Sequence, residues 1–230
     1  MRTVIIPLVG NSSRFFNAGY SSVKYKLPLS KSKSILWHIL SYIDRQFKII
    51  IITNIKFNDT DWLNNILTDL NFVNYEVIQS EDTDGQLTTV KFGITKSKII
   101  YNFDELIIYN GDTVRHLPYN FDFKGFDGLI EVFEQKGNHW SFVDNLGVVN
   151  KVTEKNKISE YCSTGLYAFK NINIFMKYAE QAETINGEKY IAPLYNSLIA
   201  DGLKINSFLS SNNNFSLCGT PTEYEINKYF

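Results

Sequence analysis

Five short strings, in one order along the chain, hold the residue types that could carry a reaction. They are Leu8-Val9-Gly10-Asn11-Ser12-Ser13-Arg14, Lys24 in SVKYKLPL, Asn110-Gly111-Asp112, Glu154-Lys155 and Gly219-Thr220-Pro221. A loop of small residues after an apolar strand offers free backbone N–H groups to phosphate oxygens, and Gly10 with Ser12-Ser13 supplies them here. Arg14 and Lys24 add two cations near that loop, which offset the charge of a nucleoside triphosphate and stabilise charge developing at its α-phosphorus. Asp112, at the end of a later strand, can hold Mg²⁺. The chemistry expected of the set is nucleotidyl transfer. Each string alone also has an ordinary reading: a solvated loop, isolated surface lysines, or a turn that uses Asn and Gly for φ > 0.

These residues must be positioned by the elements between them. Thr3 to Val9 is an apolar run that fits a buried strand of a parallel sheet. A polar loop follows through Ser22, and Ser34 then caps an amphipathic helix carrying Ile35, Leu36, Ile39, Leu40 and Ile43. Phe47 to Thr53 reads as a second strand, Thr60 as the cap of a helix bearing Leu63, Ile66, Leu67 and Leu70, and Tyr75 to Gln79 as a third strand. A turn at Gly85 and a short helix through Lys91 lead to the apolar run Leu106 to Tyr109, so strands alternate with helices and Asp112 falls at a strand's carboxyl end. From Gly128 to Lys170 the runs are short and β-rich. Helices are expected over Asn171 to Glu183 and Lys189 to Ala200, strands over Ile205 to Leu209 and Phe215 to Cys218, a loose polar loop over Ser210 to Asn214, and a last helix from Pro221. The fold class expected is therefore a single α/β domain, with a Rossmann-like, mostly parallel sheet flanked by helices. Residues 1 to about 125 form a nucleotide-binding half and about 126 to 230 a β-rich acceptor-binding half.

Composition narrows the partners. The chain has 230 residues, 44% hydrophobic, enough for one full core. Its 23 Lys and Arg against 24 Asp and Glu leave a net charge of -1, so no basic field draws nucleic acid or an anionic membrane, and small metabolites are the expected partners. Cys162 and Cys218 lie far apart, without the spacing of a zinc site, and read as buried reduced thiols. The amino-terminal apolar run is too short to span a membrane, so the expected place is the cytoplasm. His38 and His116 read as structural or exposed, whereas His139, beside Trp140, stands where it could touch a ligand. Tyr190, Pro193, Tyr195 and Asn196 are left to pack inside the chain or against a second copy in a homo-oligomer.

The string VIIPLVGNSSRFFNAGYSSVKYKLPL resembles the amino-terminal signature of the sugar-phosphate nucleotidyltransferases, especially short bacterial members of capsule and surface-glycan pathways. The similarity continues through VIQSEDTDGQLTT, NGD, VVNKVTEKNKIS, STGLYAF and LCGTPTEYE, and so spans most of the chain. It implies that Leu8, Gly10, Asn11, Ser12 and Ser13 wrap the nucleotide phosphates, that Arg14 and Lys24 activate them, and that Gln79 and Gly85 face the base. It further implies that Asp112 ligates Mg²⁺, that Glu154 binds an acceptor hydroxyl, that Lys155 pairs with the acceptor's phosphate, and that Trp140 and Gly165 shape that half of the site. The expected partners are a nucleoside triphosphate and a phosphorylated small-molecule acceptor.

The chain departs from the family pattern in three places. Val9 replaces a small residue, Val23 replaces the proline before the signature lysine, which makes Lys26 a rival to Lys24, and Leu217-Cys218 stands where many members carry a second metal-binding aspartate. Sugar 1-phosphates are the default acceptors, with a cytidylyltransferase acting on a polyol phosphate or a phosphocholine-like compound as the alternative. A nucleotide-binding regulatory protein that has lost turnover is a second alternative. A glycosyltransferase using Asp82-Thr83-Asp84 as a metal motif is a third.

Overall fold

A computed structural model describes residues 1–118 and 121–229. The first half of the chain runs β1 (Arg2–Leu8), α1 (Ser13–Asn17), α2 (Ile35–Ser41), β2 (Lys48–Asn54), α3 (Thr60–Asp69), β3 (Tyr75–Ser80), α4 (Gln86–Lys96), β4 (Glu105–Tyr109) and β5 (Thr113–Arg115). The second runs β6 (Gly128–Glu134), β7 (Ser141–Val143), β8 (Gly147–Val149), β9 (Val152–Glu154), β10 (Tyr161–Phe169), α5 (Ile172–Ala179), α6 (Leu194–Ala200), β11 (Ile205–Leu209), β12 (Phe215–Leu217) and α7 (Pro221–Asn227). The main sheet has the order β3-β2-β1-β4-β10-β6-β11-β8. Its first four strands are mutually parallel, with Ile5 opposite Ile50 and Val4 opposite Ile107. Strand β10 runs antiparallel to both β4 and β6, and β11 returns parallel to β6. This is the expected α/β architecture.

The three inner parallel strands β1, β2 and β4 are buried on both faces, which is why they read as unbroken apolar runs; every residue of β2 is buried, whereas the edge strand β3 is half-buried. Alternation along β1 divides the core. Val4, Ile6 and Leu8 join Leu36 and Leu40 of α2 and Leu63 and Leu67 of α3. Ile5 joins Leu87 and Val90 of α4, Phe175 of α5 and Leu194 and Leu198 of α6 on the opposite face. Tyr195 is fully buried, stacks on Phe169 and donates to the carbonyls of Leu129 and Ala168, so it belongs to the core. Asn196 brackets the backbone of Val152 through its N–H and carbonyl. Both cysteines are buried and free. Among the described residues no helix is long and apolar enough to cross a membrane.

Ser34 caps α2 as expected, accepting from the Trp37 N–H at 3.2 Å. Several elements differ from the sequence expectation. The loop after β1 contains the short helix α1, which has only Phe15 buried and hence no apolar stripe to reveal it. The cap position of α3 is Asp59, not Thr60, and its side chain makes no capping bond. The carboxylate turns instead to the Tyr25 hydroxyl and the Lys26 ammonium, across 34 and 33 residues of chain. Lys189 to Pro193 is not helical. The Lys189 backbone binds Asp84 O and Leu87 N–H at 2.7 and 3.0 Å, and the helix starts only after Pro193. Asn212–Asn214, expected to be loose, forms a 3₁₀ turn capped by Ser211.

Asp59 therefore fixes the 3₁₀ turn Lys24–Lys26 from below. Asp59→Ala should lower stability by about 2 kcal/mol, since it leaves the buried Tyr25 hydroxyl unpaired. Urea unfolding of the variant checks this, and an unchanged midpoint would show the contact to be inert.

Candidate active site

The carboxyl ends of β1 and β4 and the bulged middle of β10 border one cavity of about 630 Å³. Its first wall is the loop after β1. Ser12 adopts φ 50°, and its carbonyl accepts the Phe15 and Phe16 N–H groups that open α1. Its hydroxyl accepts the Lys24 N–H at 3.1 Å, which pins the loop to the Lys24–Lys26 turn and places Ser12 behind the cavity lining. Leu8, Gly10, Asn11, Ser13 and Arg14 line the cavity, and a Cβ on Gly10 would meet nothing within 4 Å. Open space in front of Gly10 is what close approach by phosphate needs.

The two candidate lysines part company at the turn. Lys24 Nζ reaches Asp112 Oδ2 at 2.5 Å inside the cavity. Lys26 pairs with Asp59 and lies over the Trp62 ring, outside the lining. Asp112 is held in turn by the Cys218 N–H, which donates to its carbonyl at 2.7 Å where β5 pairs with β12.

A second wall comes from the loop before α4. Gly85, at φ 136°, has no room for a side chain, since a Cβ would sit 2.5 Å from Lys189 O. Gln79 points out from β3, exposed and outside the lining, whereas Gln86 lines the cavity and donates to Asn110 Oδ1 at 2.5 Å. Its position at the first turn of α4, immediately after the constrained glycine, is the signal that identifies Gln86. Asp82 is taken up by Lys56 and by Asn54, whose amide donates at 2.6 Å, and Asp84 faces Lys189 at 3.9 Å. The Asp82-Thr83-Asp84 string is thus not arranged as a pair of metal ligands.

The opposite end is acidic and aromatic. Trp140 packs edge-on against Phe133, and its Nε1, buried, has no hydrogen-bond partner among the described residues. Glu154 accepts from Ser141 Oγ at 2.5 Å; burial pushes its carboxyl pKa up against the lowering pull of that bond and of Lys155. Lys155 lies outside the lining and donates to Tyr190 Oη at 2.6 Å, a bond that raises its own pKa. Tyr190 lines the cavity and donates to Glu188. Gly165, at φ 86°, lets β10 pass Asn110, whose amide would lie 2.0 Å from a Cβ there. His139 also lines the cavity, while His38 and His116 contact Ser30 and Ser216 away from it.

The residues at the Asp112 end fit a hard cation. Asp112 offers carboxylate oxygens in a cavity, and its present partner is the Lys24 ammonium. The absence of a side chain on Gly219 keeps the space beside Asp112 Oδ2 open, since a Cβ there would lie only 3.2 Å from that oxygen. Among the described residues no cluster of three His, Cys, Asp or Glu could hold a metal alone, so a cation beside Asp112 would need ligand oxygens and water to complete its donor set, which Mg²⁺ accepts.

No protein-family model matches the chain, and no curated protein matches it. Among solved structures, the nucleoside-diphosphate-sugar pyrophosphorylase from Vibrio cholerae RC9 is similar over 97% of this chain and 98% of its own, with TM-score 0.90 and 30% identity. A UDP-glucose pyrophosphorylase complexed with UDP-glucose matches over 97% and 96% at TM-score 0.76 and 13% identity. The inositol-1-phosphate CTP transferase from T. maritima matches over 98% and 94% at TM-score 0.69 and 13% identity, and these two likenesses concern the fold.

A carboxyl whose folded pKa is raised costs nothing while it is protonated in both states; the cost grows as pH climbs through the ordinary glutamate range and is complete above the folded value. Glu154→Gln should therefore raise Tm relative to the parent at pH 8 and leave the difference near zero at pH 4. Thermal unfolding at the two pH values decides it, and a pH-independent difference would remove burial of charge as the cause.

Proposed function

The chain belongs to the nucleoside-diphosphate-sugar pyrophosphorylases, a family of nucleotidyltransferases, and we propose that it joins a nucleoside triphosphate to a sugar phosphate in a Mg²⁺-dependent reaction. The products are a nucleoside-diphosphate sugar and pyrophosphate. The observation that carries this reading is the polarity of a single cavity, with Arg14, Lys24 and the open loop at Gly10 at one end and Trp140, Glu154 and Tyr190 at the other.

In this reading an oxygen of the acceptor phosphate attacks the α-phosphorus, the new O–P bond forms, and the bond to the bridging oxygen breaks as pyrophosphate leaves. Arg14 and Lys24 stabilise the charge that gathers on the α-phosphoryl oxygens, while backbone N–H groups of the loop from Gly10 to Ser13 hold the triphosphate in line. Asp112 would hold Mg²⁺, which when bound would supply further positive charge against the phosphates. Gln86, fixed by Asn110, and Asn11 face the nucleoside. Glu154 accepts from an acceptor hydroxyl, and Lys155, steadied by Tyr190, serves the acceptor's phosphate. The orphaned Trp140 Nε1 donates to a ligand oxygen on that side. The acceptor phosphate is already ionised near neutral pH, so no general base is needed. Nucleoside triphosphates are cytoplasmic metabolites, and the same reading places the protein there.

Pyrophosphate release should appear with one of CTP, dTTP, UTP, GTP or ATP, given Mg²⁺ and a panel of sugar 1-phosphates and polyol phosphates. Lys24→Ala and Arg14→Ala should each lower kcat/KM by about a hundredfold or more, and Asp112→Asn should abolish turnover. No pyrophosphate with any pair, together with no rise in Tm from any nucleotide with Mg²⁺, would overturn the reading.

A further inference from the structure

A single carboxylate already paired with an ammonium is a thin ligand set for a divalent cation, so the oxygens around Asp112 decide whether the site can hold one. Leu217 has no side-chain donor atom. The Cys218 thiol is fully buried, and its soft sulfur suits a hard divalent cation poorly. The Thr113 hydroxyl is spent on Thr164 O at 3.0 Å, and Asn110 is engaged by Gln86. Glu223 remains. It lines the same cavity, and its Oε2 and Asp112 Oδ2 lie 3.4 and 3.2 Å from the one point that a Cβ on Gly219 would occupy. A residue larger than glycine at 219 would crowd both carboxylates.

Glu223 is also held ready. It is the third residue of a capping box on α7: its Oε2 accepts the Thr220 N–H at 2.8 Å, and the Thr220 hydroxyl accepts its own N–H at 3.2 Å. No hydrogen bond among the described residues engages Oε1.

We propose that Glu223 is the second carboxylate of the divalent-cation site, joining Asp112 across the gap kept by Gly219. The proposal rests on the nucleotidyltransferase reading above, and it gives α7 a role beyond closing the fold. The helix cap doubles as a metal ligand.

The test is Mn²⁺ titration of the full-length protein, with free Mn²⁺ read by electron paramagnetic resonance, in the presence of a non-hydrolysable analogue of whichever triphosphate raises Tm. Glu223→Gln keeps the capping bonds, because an amide carbonyl also accepts an N–H, and removes the charge. It should keep the parent Tm and weaken Mn²⁺ by at least the roughly tenfold loss that even outer-shell changes bring. Adding Leu217→Asp to that variant should restore much of the affinity by supplying a carboxylate from the neighbouring strand. Parent-like Mn²⁺ affinity in Glu223→Gln would overturn the proposal while leaving the nucleotidyltransferase reading intact. So would a loss that Leu217→Asp does not relieve and that follows a fall in Tm, since Glu223 would then be a cap only. Failure of the parent protein to bind any nucleotide analogue would instead sink the reading on which the proposal stands.

Discussion

The closeness of Gly111 to Leu8 is the constraint on which the site depends. A Cβ at 111 would lie 2.2 Å from Leu8 Cδ2 and 3.9 Å from Ile6 Cγ2, so any larger residue in the turn after β4 would have to displace the buried Leu8 side chain at the end of β1. That contact sets the height of Asp112 beside the loop from Gly10 to Arg14. The Lys24–Asp112 pair, the β5–β12 ribbon and the Cys218 N–H bond all follow from it. Two adjacent parallel strands that end side by side form the crevice in which open α/β sheets place their ligands.

The far side of the cavity depends on β10, the strand shared by both halves. Its pairing with β6 shifts register between Ser163 and Tyr167, and the irregular stretch contains Thr164 and Gly165. Thr164 is tied down by its hydroxyl, which donates to the buried Glu131 at 2.6 Å, and Glu131 also pairs with Arg115. Within the bulge the Thr164 carbonyl accepts the Thr113 hydroxyl and the Gly165 carbonyl the Asn110 N–H, so β10 anchors the turn that carries Asp112. At the other end, burial of Glu154 works against its ionised form.

Much of this was legible in the residues. Buried parallel strands appear as unbroken apolar runs, Ser34 announces α2 through a hydrogen bond that needs only three residues of chain, and Pro221 marks the first turn of α7. Long-range partners are what the sequence hides. Asp59 fails as a cap because Tyr25 and Lys26 claim it from another part of the fold, and Lys189 to Pro193 abandon a helical pattern because the Gly85 loop needs their backbone. Lys24 and Lys26 look equivalent on paper, yet a 3₁₀ turn sends one ammonium into the cavity and the other to Asp59. Gln79 and Gln86 differ in the same way. One sits exposed on a strand, and the other starts a helix at the cavity wall.

The strand order also governs how the chain is made. Strands β1 to β4 are complete by Tyr109, but the partner that covers the open edge of β4 is β10, which begins at Tyr161. During synthesis the β4 edge therefore waits, unpaired and strongly apolar, while some fifty residues carrying β5 to β9 emerge. Pairing across that span closes a large loop before it gains any contact, which makes β10 docking a slow step in assembly. The strand that unites the two halves of the cavity is thus also the one whose late arrival exposes the young chain to aggregation.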